Sequence, residues 1–370
     1  MPPMKILIAP DKFKGALNAR EVAENIVKGL SDVLPAAKIE VVPMADGGEG
    51  TAEVICNAGG GSWLECKAHD PLGRQIEARY GWIADKKLAV MEMSEAAGMR
   101  RLSESERDPI RATTFGVGEM ILDASKRGAN KIIIGLGGSA TNDGGFGMAR
   151  AFGLRFFEQE RELRGAVSEL VKLKRIETPR ALELPKIIAA VDVRNPLLGT
   201  NGATRVFGPQ KGAIKEKIDI LEHALTRLAD VVAKEFRFDY RDEPGAGAAG
   251  GLGFGLMSFC GAKTRPGFDV AAEAVGLESK MKDAELVITG EGSLDRQTLE
   301  GKTPVGVARL ARKLGKRVFA IVGRTTNDRE VREIFDAVYE NQRSGMSQEE
   351  NMKRAAELLR ENARDLAKNL

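Results

Sequence analysis

Residues 131–145 read KIIIGLGGSATNDGG. Ile132, Ile133 and Ile134 run without a polar break and end at once in a glycine-rich turn. A short β-branched run of this kind predicts a strand buried on both faces, as in a parallel sheet covered by helices. The same order recurs along the chain. Lys5–Ala9 is followed by PDKFKG (10–15), Ile39–Val42 by ADGGEGT (45–51), Ile187–Val191 by DVRNP (192–196) and Glu285–Thr289 by GEGSLD (290–295). Arg317–Val322 and Ala337–Tyr339 are two further apolar runs.

Helical patterns separate these strands. Asn18 and Glu21 have the spacing of a capping box, and Val22, Ile26, Leu30 and Val33 form one apolar stripe. Thr114 is expected to open a second helix that stops at Gly128. Thr303-Pro304 is expected to open a third that stops at Gly315. Ser347 and Glu350 are expected to cap one final helix carrying Met352, Ala356, Leu359, Ala363 and Leu366. The alternation predicts an α/β fold with a Rossmann-like or flavodoxin-like doubly wound parallel-sheet domain. Two stretches break it. Trp63–Met93 reads as consecutive short strands around Gly73 and Gly81. Residues 155–280 mix short strands, a long helix from Ile214 to Lys234 and a glycine-rich patch. The expected division is a discontinuous Rossmann-like domain of residues 1–60, 113–152 and 281–370. Residues 61–112 and 153–280 form an inserted α+β domain, with the active site in the cleft between the two.

The 370 residues carry a net charge of only +3, and aromatic residues make up 5 %. Neither a basic nucleic-acid or membrane binder nor a base-stacking platform is expected. Three scattered cysteines (Cys56, Cys66, Cys260) form no disulfide framework and no CxxC pair. The two histidines, His69 and His223, are isolated and are expected to have surface or structural roles and not catalytic ones. No signal-peptide core and no apolar run of membrane-spanning length occurs, so a soluble cytoplasmic protein is expected.

Ligands of open α/β sheets bind outside the carboxyl ends of the strands, where the loops above are expected to gather. The loop containing Gly137, Gly138, Ser139, Ala140, Thr141 and Asn142 has the character of a phosphate cradle. Glycines admit close approach of backbone N–H groups, and a helix start adds positive potential. It also suits a tight turn with Asn142 or Asp143 as helix cap. Neither a P-loop nor the strict Rossmann fingerprint is present; Gly301-Lys302-Thr303 only resembles the end of a P-loop. The acidic residues Asp46, Glu49, Asp143, Glu291 and Asp295 would repel a polyphosphate unless Mg2+ lay between them. Asp46 and Asp143 equally suit caps or Asx turns. One of Lys12 and Lys14 is expected at a phosphate and the other in solvent. Asp192 ends an apolar strand and suits either a group acting on a substrate hydroxyl or an Asx turn before Pro196.

The segments APDKFKG (9–15), ADGGEGT (45–51), GLGGSATNDGGFGM (135–148), DVRNPLLG (192–199), FGPQKGA (207–213), PGAGAAGGLG (244–253) and TGEGSLDRQTLEGKTPVGVA (289–308) occur in one order along nearly the whole chain. In this the sequence resembles the type-1 glycerate kinase family, the bacterial glycerate 2-kinases. Lys12 stands where many members have Ser, which leaves Lys14 as the better catalytic candidate. The resemblance implies ATP- and Mg2+-dependent phosphorylation of D-glycerate at its 2-hydroxyl, giving 2-phosphoglycerate. The site expected on this basis has Asp192 and Lys14 as catalytic residues. Gly137, Gly138, Ser139, Ala140, Thr141, Asn142, Gly290 and Gly292 are expected at the nucleotide. Asp11, Asp46, Gly47, Gly48, Asn195 and Asp295 are expected at the substrate, and Glu49, Asp143 and Glu291 at the metal. A kinase for another hydroxy acid or polyol, or a two-domain small-molecule sensor, is the alternative.

Overall fold

The computed structural model describes residues 3–296, 302–326 and 328–370. Residues 297–301 of the last motif, including Gly301, lie outside the described residues. The principal strands are β1 (Lys5–Ile8), β2 (Lys38–Val41), β3 (Ser62–His69), β4 (Gln75–Ile83), β5 (Leu88–Glu92), β6 (Lys131–Gly135), β7 (Lys186–Val191), β8 (Lys263–Pro266), β9 (Leu286–Thr289), β10 (Arg317–Val322) and β11 (Ala337–Glu340). The chain forms two compact units. One contains the residues up to Asp46 together with Phe268–Leu370; the other is Gly47–Gly267.

The first unit holds a five-stranded parallel sheet in the order β11-β10-β9-β1-β2. Counted along this unit, that is the 2-1-3-4-5 order of flavodoxin-like sheets. Alternate residues of the inner strands serve opposite faces. Ile6, Ile8, Leu286, Ile288, Phe319 and Ile321 pack with Val22, Ile26 and Leu30 of the helix Ala19–Ser31 and with Leu359, Ala363 and Leu366. Leu7, Val287, Val318 and Ala320 point the other way and are also buried. That double burial explains why these strands lack polar alternation. β2 differs from the expected buried run, because it is an edge strand and its residues are exposed or half-buried.

The second unit is built on a six-stranded mixed sheet, β8-β7-β6-β5-β4-β3. β5 to β8 are parallel, while β3 and β4 form an antiparallel hairpin at one edge. This changes the expected division. The expected division places β6 in the first domain with residues 113–152, whereas the strand pairs with β5 on one side and β7 on the other. Residues 47–60 also fall in the second unit. Strand hydrophobicity cannot tell two parallel sheets apart, because both bury their strands on two faces. Gly81 lies inside β4 and does not break the hairpin. A Cβ there would sit 2.7 Å from Cys56 Cβ, so the glycine admits the helix Thr51–Ala58.

The capping box of Asn18 and Glu21 forms as the spacing predicts. Ser347 accepts from the Glu350 N–H, but the terminal pattern splits at Arg354 into Gln348–Lys353 and Ala355–Lys368. Two expected threonine caps do other work. Thr114 precedes Phe115–Lys126 and Thr303 begins Thr303–Lys313, yet neither side chain caps its helix. Among the described residues no helix is long and apolar enough to cross a membrane.

Candidate active site

In the first unit the site residues gather at the carboxyl ends of β1 and β9. The Asp11 N–H donates to the Gly290 carbonyl, which ties the two loops together. Asp11 is only 4 % exposed. Its carboxylate accepts from the Lys12 N–H at 2.7 Å and from the Thr303 hydroxyl at 2.7 Å. Burial pushes its pKa up to about 6, against the opposing pull of Lys12. The Lys12 ammonium lies 3.5 Å from Asp11 and 3.7 Å from Asp46. Lys12, passed over on sequence in favour of Lys14, is therefore the lysine set among the carboxylates, whereas Lys14 is exposed. Gly292 follows on the same edge, where a Cβ would lie 3.4 Å from the Lys14 backbone nitrogen. Glu291 is buried and Asp295 half-buried.

In the second unit the glycine-rich loop leaves β6 beside the end of β7. Gly135 pairs with Ala190, and the Leu136 N–H donates to the Ala190 carbonyl. Asp192, two residues past Ala190, therefore emerges next to the loop on the same sheet edge, and it is exposed. The Gly47–Gly50 turn lies directly on the loop, since a Cβ on Gly137 would fall 2.5 Å from the Gly48 Cα. Glu92, at the end of β5, holds that turn by accepting from the Gly50 and Ala52 N–H groups at 2.8 and 3.1 Å. Burial raises its pKa. Glu92 was not singled out on sequence; a lone acid ending an apolar strand gave the same signal as Asp192. Glu49 of the turn is exposed.

Gly138 has φ +73°, a left-handed conformation that glycine adopts without strain. Its carbonyl accepts from the Met99 N–H, and the Ala140 N–H donates to the Ala97 carbonyl. The loop is thus braced along one side by residues 97–99. Asn142 is buried and donates from Nδ2 to the Thr204 hydroxyl at 2.9 Å. Its Oδ1 has no partner among the described residues. Asn195 uses its side-chain amide to donate to the Asn201 carbonyl at 2.7 Å, while its own carbonyl accepts from the Gly247 N–H.

Asp143 departs from the metal-ligand expectation. It is fully buried, and its carboxylate accepts from the Thr114 N–H and hydroxyl and from the Gly145 and Gly147 N–H groups. The Thr114 hydroxyl in turn accepts from the Met148 N–H. These bonds clasp the start of Phe146–Ala151 to the start of Phe115–Lys126 and leave the carboxylate committed to three backbone N–H groups and one hydroxyl. Among the described residues there is no group of three His, Cys, Asp or Glu side chains that could hold a metal ion. That is compatible with Mg2+, which keeps its waters and takes one or two carboxylates together with phosphate oxygens. His69 pairs through Nδ1 with Glu119 at 2.9 Å.

Lys211 lies under the loop and was not singled out on sequence. A lysine in a Pro-Gln-Lys-Gly turn reads like a surface lysine, but this one is 2 % exposed. Its ammonium donates to the Thr141 carbonyl at 2.7 Å and to the Ser139 hydroxyl at 3.1 Å.

The family profile described as the glycerate kinase family matches residues 6–370. A Bacillus subtilis (strain 168) protein named glycerate kinase is 41 % identical over 373 residues, covering 99 % of this chain and 98 % of its own. An Escherichia coli (strain K12) protein named glycerate 2-kinase is 44 % identical over 330 residues, covering 88 % and 86 %. A crystal structure described as a candidate glycerate kinase 2 from Salmonella typhimurium LT2 matches with a TM-score of 0.86 at 42 % identity, covering 99 % of this chain and 98 % of that one. With the motifs in one order and the match running across nearly all of its length, the chain belongs to the glycerate kinase family.

Proposed function

We propose that this protein transfers the γ-phosphoryl group of ATP to the 2-hydroxyl of D-glycerate, giving 2-phosphoglycerate and ADP. The observation that carries this is the adjacency of β6 and β7, paired at Gly135 and Ala190. It sets a glycine-rich anion loop and the Asp192 carboxylate on one sheet edge. Phosphoryl transfer asks the protein chiefly for positioning and for stabilisation of charge on the transferred group. Backbone N–H groups of Gly137–Asn142 hold nucleotide phosphate. Asp192 orients the acceptor hydroxyl and takes its proton. In the first unit, Gly290 and Gly292 are assigned to the nucleotide and Asp11, Asp46 and Asp295 to polar groups of the substrate; in the second unit, Gly47, Gly48 and Asn195 are assigned to the substrate. Lys14 serves the phosphate, with Lys12 a second cation on that loop. Mg2+, when bound, supplies positive charge to the phosphates, and Glu49 and Glu291 are the carboxylates that would hold it.

The same proposal takes the first unit as a doubly wound domain into which Gly47–Gly267 is inserted, and the protein as cytoplasmic. The support for the domain reading is the 2-1-3-4-5 strand order and the burial of both sheet faces. The test of function is ADP release measured with ATP and Mg2+, with and without D-glycerate. ADP release that depends on D-glycerate is expected; release that does not rise on adding it contradicts the proposal.

A further inference from the structure

Lys211 is buried, and among the described residues its partners are neutral. Its two hydrogen bonds go to the Thr141 carbonyl and the Ser139 hydroxyl, both in the glycine-rich loop. No carboxylate lies within ion-pair distance of its ammonium among the described residues. Asp143 is the carboxylate that acts on it from further off, and that group is committed to the Thr114, Gly145 and Gly147 donors. On the other side, Gly212 packs against the Arg107 backbone, and Asp108 is paired with Lys217 at 3.0 Å. Burying an ammonium without a counter-charge is costly, and proteins pair such groups or hold them neutral. Burial accordingly draws the Lys211 pKa down to about 7. The loop it supports has the build of an anion site, so the missing partner is negative and belongs to the ligand.

We propose that Lys211, buried beneath the Gly137–Asn142 loop and bonded to its Ser139 and Thr141, is a positioning residue whose ammonium is the built-in counter-charge for an oxyanion bound on that loop. This rests on the function proposed above. The oxyanion is a nucleotide phosphate or the carboxylate of the hydroxy acid. Its negative charge would favour the ammonium form, which in turn polarises the Ser139 hydroxyl and the Thr141 peptide toward the ligand.

The test is calorimetry on the full-length protein at about pH 8, in buffers of different ionisation enthalpy. Separate titrations use the Mg2+ complex of a non-hydrolysable ATP analogue, D-glycerate, and inorganic pyrophosphate. Proton uptake on binding is expected, and the titration that shows it identifies which anion sits on the loop. Lys211→Met is expected to lose the uptake and to weaken that ligand roughly 10- to 100-fold, the range of a hydrogen bond to a charged group. Its melting temperature without ligand should hold or rise, since a buried charge has gone; a merely structural lysine would lower it. Binding of these ligands without proton uptake, or with undiminished affinity in Lys211→Met, overturns the proposal. If neither the nucleotide analogue nor D-glycerate binds the wild-type protein, the kinase proposal fails by itself. Pyrophosphate then decides on Lys211: uptake supports it, and its absence overturns it.

Discussion

The Thr303 hydroxyl donates to the Asp11 carboxylate at 2.7 Å, joining residues 292 apart in the chain. The bond links the end of β1 to the first turn of the helix Thr303–Lys313. Thr303 is the first residue of that helix, one past its N-cap Lys302, so its hydroxyl is placed for Asp11 and not for a cap. Asp11 is thereby held at the sheet edge beside Lys12 and Gly290, out of water, where ionisation is disfavoured.

A pH dependence follows from this burial. The Asp11 pKa rises from 3.8 to about 6 on folding. Across that interval the folded state holds more protons than the unfolded chain, so the Asp11 contribution to stability is present at low pH and is lost as pH rises through about 6. Asp11→Asn removes the dependence. The melting temperature of Asp11→Asn relative to wild type is expected to climb between about pH 4 and about pH 7 and to level off above it. Thermal melts across that range check it, and a flat or falling difference would count against a buried, protonatable Asp11.

Asp143 is expected to behave as a structural clasp. Asp143→Ala leaves four hydrogen bonds from buried donors without an acceptor and should destabilise the fold by about 3 kcal/mol or more. Denaturant unfolding measures the loss. The Mg2+ concentration giving half-maximal activity should stay as in wild type for Asp143→Asn and rise for Glu49→Gln. A raised Mg2+ requirement in Asp143→Asn would restore Asp143 as a ligand.

Gly138→Val tests the loop. Valine at φ +73° is strained, although the nearest atom to its Cβ, Ser94 Cβ, would be at 3.4 Å. The loop should therefore shift while the fold stands, and nucleotide affinity should drop. Calorimetry that finds unchanged affinity would move the nucleotide away from this loop.

Most of the buried strands, several helices and the loop-bearing sheet edges were legible, the strands because burial on both faces leaves a run of β-branched residues without polar alternation. The assignment of β6 was not, because a covered parallel strand looks the same in either sheet. Thr114 and Thr303 carried the sequence marks of caps, but bonds to Asp143 and Asp11 took their hydroxyls. Those partners lie far away in sequence, so local spacing could not reveal them. Lys211 was hidden for the same reason, since the exposure of a lysine depends on what folds over it.

Asp192→Asn preserves size and hydrogen bonding and removes basicity. If Asp192 takes the proton of the acceptor hydroxyl, kcat should fall by roughly 10²–10⁴, with a much smaller change in ATP affinity. Steady-state kinetics beside calorimetry separate the two. Near wild-type kcat in Asp192→Asn, together with lost stability in Asp192→Ala, would make Asp192 structural.

The most direct measurement is phosphorus NMR of the product formed from ATP and D-glycerate by the wild-type protein. The resonance of 2-phosphoglycerate should grow in step with ADP. A product that is 3-phosphoglycerate alone would contradict transfer to the 2-hydroxyl, and ADP no higher than in the enzyme-free control would contradict the kinase itself.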